Sequence, residues 1–197
     1  MFSAIEGHAA RLRGRLGSSL HKNLVNVPSK PSPICFLITA IDNRMAEIEI
    51  RDIVESDYEE WLRLFELYLV FYEKSLPTEI KEATFKRALD PSVDMWSSLA
   101  IHPETKKPIG LVNYLRHMST WSITDQLYLN DLYVEEGQRL KHVGRSLIEY
   151  VYAKGDAMGA PNVYWCTDMT NHRAQLLYTK VGWYSGKVVY KRPPGSY

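Results

Sequence analysis

The order of the predicted elements indicates an α/β or α+β domain, in which helices pack on a β-sheet. Two patterns carry this prediction. Segments whose apolar and polar residues alternate recur along the chain, as strands with one buried face require. Between them lie segments whose apolar residues recur at three- and four-residue spacing, which is typical of amphipathic helices. The length of 197 residues suits a single well-buried domain.

The first predicted elements are a strand and two helices. Alternation over residues 47–53 predicts the strand. The helix that follows can be capped by Ser56 or Asp57. Its apolar residues share one face: Trp61, Leu64, Phe65, Tyr68, Leu69 and Tyr72. A shorter helix is predicted over residues 78–89, between Pro77 and the breaker "DPS".

Three strands, a helix, a strand, a helix and a final strand complete the predicted order. The segments "MWSSLAIH" and "IGLVNYLRHM" form a hairpin around the turn "PETKKP", and "DQLYLNDLYV" adds a third central strand. The later elements are a helix in "HVGRSLIEYVYAKGDAMG", a strand in "NVYWCTD", a helix in "NHRAQLLYTKVG" and a closing strand in "WYSGKVVYKR". The buried face of the first of these helices is predicted to hold Val143, Leu147, Ile148, Val151 and Tyr152.

Charge divides the chain at Met45. Residues 1–44 contain six basic and two acidic side chains, a net charge of +4, whereas residues 45–197 contain 18 basic and 21 acidic ones, a net charge of −3. The first segment also holds the proline-broken stretch "VPSKPSP", typical of linkers. We therefore predict a disordered basic extension over residues 1–44 and a folded domain over residues 45–197. A mitochondrial presequence is the alternative reading of the Arg-rich, acid-poor stretch "AARLRGRLGSSL".

The overall composition argues against several classes of protein. A net charge of +1 does not favour nucleic-acid binding by the whole surface, and no run approaches the roughly 18 apolar residues of a membrane helix. Cys35 and Cys166 lie far apart, which disfavours a disulfide framework and favours a reducing compartment, the cytoplasm or the nucleus. Since His102, His117 and His172 show no ligand spacing, no metal is predicted.

The loop after the third central strand concentrates positive charge around one glycine. In "QRLKHVGRS", Arg139, Lys141, His142 and Arg145 surround Gly144. A helix N-terminus carries free amide donors and about half a positive charge, and glycine lets a ligand approach the backbone. This combination suits a pyrophosphate. A basic loop that faces water is the alternative, because short glycine motifs are weak signals.

Two motifs in this order resemble the signatures of the GCN5-related N-acetyltransferase (GNAT) superfamily. The segment "LYVEEGQRLKHVGRSLI" is similar to its acetyl-CoA signature, and "NHRAQLLYTKVGW" is similar to its second signature. With "YLNDLYV" and "VYWCTD", the chain is most similar to the small fungal histone/polyamine and D-amino-acid N-acetyltransferases. The resemblance covers residues 48–192.

The resemblance implies a GNAT fold, a central mixed sheet whose central strands splay apart, with acetyl-CoA as co-substrate. Backbone groups of Leu132, Tyr133 and Val134 would bind the pantetheine arm and the thioester carbonyl, and Asn171 would contact the same arm. The pyrophosphate would be held by Arg139, Leu140, Lys141, His142, Val143, Gly144 and Arg145. Leu140 and His142 replace glycines that are usual in the family, and the ring of His142 would either crowd the loop or donate a hydrogen bond to a phosphate.

The resemblance also implies catalytic roles. Tyr178 matches the tyrosine that protonates the departing CoA thiolate, although helical spacing alone would make it a packing residue. Asn130 stands where relatives place a glutamate base, and it cannot usefully accept a proton. Asp131 is adjacent, but strand alternation turns it to the other face unless a β-bulge intervenes. Asp168 and a chain of water molecules are the other candidates for the base.

Several alternatives remain open from the sequence. The acceptor is an amino acid (D-forms included), a polyamine or a protein lysine, and the chain is either a monomer or a homodimer. Aromatic side chains that could hold an amine by cation–π contact, or simply form core, are Trp61, Tyr68, Tyr114, Trp121, Tyr128 and Trp165. Because Asn130 and His142 depart from the family pattern, a CoA-binding regulatory module without catalysis is the rival hypothesis, and a purely structural domain would bind no CoA.

Overall fold

The computed structural model describes residues 48–138 and 142–193. The predicted extension over residues 1–44 lies outside these residues, so the boundary at Met45 stays a prediction. Arg139, Leu140 and Lys141 of the predicted pyrophosphate loop also lie outside the described residues.

Within the described residues, five strands form one mixed sheet in the order β1-β2-β3-β4-β5. They are β1 (Glu49–Asp52), β2 (Met95–Ile101), β3 (Pro108–His117), β4 (Gln126–Val134) and β5 (Asn162–Tyr164). The first four strands pair antiparallel, and β5 runs parallel to β4. A parallel pair needs a crossover connection, which the helix between β4 and β5 supplies.

Helices cover both faces of this sheet. In the described chain they are α1 (Tyr58–Phe71), α2 (Thr78–Leu89), α3 (Val143–Ala157) and α4 (His172–Val181). On what we name the α3 face, Leu127 and Leu129 pack with Leu147 and Ile148. On the α1–α2 face, a second core includes Trp61, Leu64, Phe85, Leu99, Leu111 and Tyr133. Each helix is thus held by an apolar stripe on one side of the sheet.

Most helix predictions are confirmed. The shorter helix spans the predicted residues 78–89, because Pro77 starts it and Asp90 and Pro91 end it. The predicted face of α3 is buried at Val143, Leu147, Ile148 and Val151 and half-buried at Tyr152.

Asp57, one of the two predicted caps, occupies the N-cap position of α1 but does not cap the helix through its side chain. A 3₁₀ turn (Glu55–Asp57) precedes the helix, and Asp57 makes no side-chain cap bond to α1. Its carboxylate instead accepts the Val54 N–H at 2.8 Å and both guanidinium nitrogens of Arg51 at 2.6 and 2.8 Å. Hydrogen bonding from Arg51 lowers the pKa of Asp57. The bidentate ion pair uses both oxygens, which leaves the helix amides to other partners.

Two strand predictions at the C-terminal end are also wrong. The strand predicted over residues 162–168 ends at Tyr164. The strand predicted in "WYSGKVVYKR" does not form, and residues 183–193 are exposed without strand pairing. An alternating pattern becomes a strand only where a neighbouring edge accepts its hydrogen bonds, and no described strand pairs with this segment.

Candidate active site

The pairing between β4 and β5 ends part of the way along β4. Three residue pairs join them, the last being Tyr128 with Tyr164. β5 ends there, whereas β4 continues to Val134. Separated strand edges offer backbone donors and acceptors to an extended ligand. Leu132, Tyr133 and Val134, predicted to hold the pantetheine arm, lie beyond the last pair with β5.

A β-bulge in β4 decides which face Asp131 occupies. Asn113 of β3 is opposite Asp131, but the next residue, Tyr114, is opposite Leu129, so Asn130 is the inserted residue. Leu129 packs on the α3 face, whereas Asp131 turns to the α1–α2 face. The bulge on which the Asp131 prediction depended is therefore present, and Asn130 and Asp131 line the same pocket.

This pocket lies between α1, α2 and the strands β2 to β4, and its volume is about 320 Å³. Apolar side chains such as Phe65, Leu76 and Met95 line its walls. Of its described lining residues, only Arg87 and Asp131 carry a formal charge. A mostly apolar cavity with a few polar groups is the usual form of a small-molecule site.

Asp131 has neutral hydrogen-bond partners. It is 8% exposed, and its Oδ2 accepts a bond from Nδ2 of Asn113 at 3.0 Å. The hydroxyl of Tyr68 also bonds to Asp131, and the pKa of Tyr68 is raised first by burial and then by the carboxylate's charge. A buried carboxylate without a cationic partner is unfavourable. Asp131 is therefore suited to a positively charged ligand.

Asn113 is a site residue that was not predicted. It is 1% exposed, and its Nδ2 donates to Asp131, which fixes the amide's orientation because a carboxylate only accepts. Among the described residues, no donor reaches its Oδ1. The signal in the sequence was an asparagine inside the apolar run "IGLVNYL", where a buried polar group needs a partner.

The other candidate base, Asp168, does not line this pocket. It is exposed in the turn before α4, where its carbonyl accepts from the Asn171 N–H at 3.0 Å. Its charge contributes, after burial, to the raised pKa of Tyr72. Asp131 is thus the better placed of the two carboxylates.

Tyr178 lies on α4, where its ring contacts Trp165 at a centroid distance of 5.4 Å. Burial, and after it the nearby Tyr72, raise the pKa of Tyr178 to about 12, against the opposing effect of a hydrogen bond with Thr167. The phenol is therefore protonated at neutral pH, as a general acid must be. The ring also packs against the α3-face core, so the packing role indicated by its spacing is present too.

Asn171 caps the helix that carries Tyr178. Its Oδ1 accepts the Ala174 N–H at 3.3 Å, and its Nδ2 donates to Oγ1 of Thr167 at 3.3 Å. Its role as an N-cap is confirmed, whereas its contact with the cofactor arm stays a prediction. The cap positions α4, and hence Tyr178, relative to the turn that contains Thr167.

The N-terminus of α3 presents free amides next to a strained residue. His142 has φ of 90°, the left-handed region that glycine adopts most readily, which explains why glycine is usual there. The first bond of the helix runs from the Ser146 N–H to the His142 carbonyl at 2.8 Å. The amides of Val143, Gly144 and Arg145 come before it and have no acceptor within their own helix. Such amides can bind an anion.

The close approach that requires Gly144 is that of α4. A Cβ at this position would lie 3.3 Å from Cδ2 of Leu177 and 3.8 Å from Cγ2 of Val134. Gly144 therefore lies against α4, and its predicted contact with a phosphate stays a prediction. Arg145, also predicted to bind phosphate, pairs with Glu149 one helical turn away at 2.8 Å.

The six predicted aromatic residues divide between core, pocket and surface. Trp61 is fully buried and donates to Oγ of Ser97 at 2.9 Å, so it is core. Tyr68 and Tyr114 line the pocket. Trp121 is 92% exposed and lies away from it. The others, Tyr128 and Trp165, contact Tyr164 and Tyr178 respectively.

Within residues 48–138 and 142–193, no group of three or more His, Cys, Asp and Glu side chains could hold a metal ion. No helix in these ranges is both long and apolar enough to span a bilayer.

Comparison with known proteins identifies the family. A model of the acetyltransferase (GNAT) family matches residues 61–183. The chain is 47% identical over 145 residues to the D-amino-acid N-acetyltransferase HPA3 of Saccharomyces cerevisiae, covering 74% of this chain and 90% of that protein. The chain belongs to the acetyltransferase (GNAT) family. The predicted enzyme class is confirmed, and its acetyl donor is acetyl-CoA.

Solved structures confirm the predicted fold. The structure of AAC(6')-Iy with the bisubstrate analogue CoA-S-monomethyl-acetylneamine has a TM-score of 0.65 at 17% identity, over 75% of this chain and 98% of that one. A probable acetyltransferase has a TM-score of 0.66 at 22% identity, over 74% of this chain and 97% of that one.

Proposed function

We propose that the protein is an N-acetyltransferase whose acceptor is the primary amine of a small molecule, in the first place a free amino acid, D-forms included. The observation that carries this proposal is the buried carboxylate of Asp131 in a pocket of about 320 Å³. The similarity to the D-amino-acid N-acetyltransferase HPA3 supports the class of acceptor. The volume is near the lower end of the range for small-molecule sites, about 300–1,000 Å³, and favours a small acceptor over a histone tail.

Asp131 and Asn113 bind the amine in this proposal. The ammonium donates to the Asp131 carboxylate and to Oδ1 of Asn113, which has no donor among the described residues. Asp131 then accepts one proton, which generates the neutral amine that attacks. A carboxylate positioned within hydrogen-bond reach typically contributes about 10²- to 10⁴-fold as a general base.

Direct attack completes the transfer. The amine nitrogen forms a bond to the thioester carbonyl carbon, and backbone amides of β4 stabilise the oxyanion that develops. The carbon–sulfur bond then breaks, and Tyr178 donates its proton to the leaving thiolate and regains one from water. The ammonium loses two protons in total. One leaves through Asp131, and the second is released to water and offsets the proton that sulfur gains from Tyr178. The products are the N-acetyl amine and free CoA.

The donor is proposed to bind along the separated edge of β4 and at the N-terminus of α3. Leu132, Tyr133 and Val134 provide backbone groups for the pantetheine arm. The amides of Val143, Gly144 and Arg145 bind the pyrophosphate, because they lack acceptors within the helix. Asn171 and His142 keep their predicted contacts with the donor.

An acceptor screen that follows free thiol tests the proposal. The panel contains both enantiomers of several amino acids, spermidine and a histone-tail peptide, and we expect amino acids to give the highest kcat/KM. Asp131→Asn should lower turnover about 10²- to 10⁴-fold with the fold intact. Asp156→Asn, at an exposed position of α3, removes a carboxylate of the same kind and should leave turnover unchanged. Preference for spermidine or the peptide would contradict the proposed acceptor, and equal effects of the two substitutions would contradict the base.

A further inference from the structure

The pocket carries one positive and one negative charge. Asp131 lies on β4, and Arg87 lies on α2. The formal charges of its described lining residues therefore sum to zero. A zwitterion, with one ammonium and one carboxylate, matches this pattern, whereas a ligand with several positive charges does not.

Arg87 has no ionic partner within the described chain. Four other arginines form ion pairs: Arg51, Arg63, Arg116 and Arg145. No described residue pairs with the guanidinium of Arg87, which is exposed and lines the cavity. Thr84 precedes it by one helical turn and lines the same cavity, so both lie on the pocket side of α2. A guanidinium in this setting offers a planar fork of donors that fits a carboxylate.

The opposite end of the ligand is defined independently by buried acceptors. Asn113 is 1% exposed, lines the pocket, and has an Oδ1 without a donor in the described chain. The adjacent Asp131 carboxylate is bonded to neutral groups. An amide oxygen without a described donor, next to a carboxylate whose identified partners are neutral, is complementary to an ammonium, which carries several donors and a positive charge.

We propose that Arg87 binds a carboxylate of the acceptor while Asp131 and Asn113 bind its amine, so that Arg87 determines the preference for free amino acids. This inference rests on the proposed acetylation of an amine in this pocket. Apolar walls formed by Phe65, Leu76 and Met95 then receive the acceptor's side chain, which favours apolar amino acids. Arg87 acts in binding and takes no part in proton transfer.

A comparison of leucine with leucinamide distinguishes a contact between Arg87 and the acceptor's carboxylate from a general change in activity. The two compounds share the amine and the side chain, and the amide lacks the negative charge. We expect the enzyme to use the preferred leucine enantiomer with kcat/KM about 10- to 100-fold higher than the amide of the same enantiomer, as one charge-assisted contact provides. Arg87→Ala should remove this preference by raising KM for leucine about 10- to 100-fold, with little change for leucinamide.

Further variants serve as controls. Arg87→Lys keeps the charge but loses the planar fork, so it should restore part of the preference. Lys86→Ala removes a charge from the neighbouring, exposed position of α2, which does not line the pocket, and should behave as wild type. Spermidine should be used no worse by Arg87→Ala than by wild type, because a polycation is repelled by Arg87.

The outcomes distinguish this inference from the proposed function. Equal use of leucine and leucinamide by the wild type, or an equal loss for both in Arg87→Ala, would overturn the role of Arg87 and leave amine acetylation standing. If none of the amines in the panel leads to release of CoA, both the role of Arg87 and the proposed function are wrong. A loss of the preference in Lys86→Ala as large as in Arg87→Ala would show a general effect of charge and overturn the specific contact.

Discussion

The two faces of the sheet bury different kinds of residues. On the α3 face, Leu127, Leu129, Leu147 and Ile148 are all 0 to 4% exposed and wholly apolar. On the α1–α2 face, an aromatic core lies beside a pocket whose mostly apolar walls include the polar side chains of Asn113, Asn130 and Asp131. Strand β4 contributes to both, because the bulge at Asn130 changes the face of the residues that follow it. Because of this one inserted residue, β4 contributes leucines to the core before the bulge and Asp131 to the pocket after it.

A carboxylate associated with each face shows the same contrast. Asp52, at the end of β1, accepts bonds from Lys154 at 2.6 Å, Ser98 at 2.8 Å and Tyr150 at 2.9 Å. Burial raises the pKa of Asp52, but the bonds from Lys154, Ser98 and Tyr150 outweigh it and lower the pKa overall. Asp131 has only neutral groups as its identified hydrogen-bond partners. A charge that is compensated within the protein contributes to stability, and one that is not suits a charged ligand.

Deletion of Asn130 should have the largest effect, because it removes the bulge. Without the inserted residue, either the leucines before it or Asp131 after it must face the wrong side of the sheet. Loss of Leu127 and Leu129 from the core alone would remove about 3–6 kcal/mol of stability, so we expect no cooperative thermal transition. Asn130→Ala keeps the chain length and should fold. A deletion variant that melts like wild type would show that the bulge does not assign the faces.

Tyr178→Phe should lower turnover about 10²- to 10⁴-fold with little change in acetyl-CoA binding, since it removes only the hydroxyl that we propose protonates the thiolate. Because burial raises the pKa of Tyr178 to about 12, the acid form persists below that value. Turnover should therefore show no alkaline loss from this group up to about pH 10. Tyr152→Phe is the matched control: its hydroxyl donates to the Val181 carbonyl at 2.7 Å. Near-normal turnover of Tyr178→Phe, where chemistry limits the rate, would return the residue to a packing role.

Leu147→Ala should affect stability and spare the chemistry. The side chain is fully buried on the α3 face, so its truncation should lower the free energy of unfolding by about 2–5 kcal/mol. The kcat of the folded fraction should fall far less than in Asp131→Asn, because Leu147 does not line the pocket and only packs in the core that Tyr178 contacts. Chemical denaturation and assays well below the melting temperature measure the two quantities. A fall in kcat comparable to that of Asp131→Asn would show that the faces are coupled.

Asp52→Asn should have the smallest effect, seen in acid. A folded-state pKa below the unfolded value of about 3.9 means that the ionised form adds stability above that pH, and that this stability is lost as the pH falls through the folded pKa. Since the pair is partly exposed, we expect less than about 1 kcal/mol near neutral pH. Unfolding midpoints of wild type and variant should therefore differ at pH 7 and converge near pH 3. If the difference between the two midpoints stayed constant across this pH range, the charge of Asp52 would not be the source of the stability that the variant loses.

The sequence by itself determined the features that depend on neighbouring residues. The bounds of α2 follow from Pro77 and the "DPS" breaker, and the buried face of α3 follows from its spacing. The family followed from two motifs, each contained in one strand–helix or helix segment. Such patterns can be recognised in the sequence because helix propensity, capping and periodicity depend on residues within about one or two helical turns.

Only the tertiary structure decided features that depend on partners distant in sequence. The segment after Gly182 alternates like a strand but pairs with no described strand, so its pattern alone could not predict that it would lack strand structure. The bulge at Asn130 exists only relative to the register of β3, and that register placed Asp131 opposite Asn113. Arg87 joined them because α2 packs over the same face of the sheet. Strand pairing and helix packing are long-range interactions, and they brought Arg87, Asn113 and Asp131 together from three separate segments.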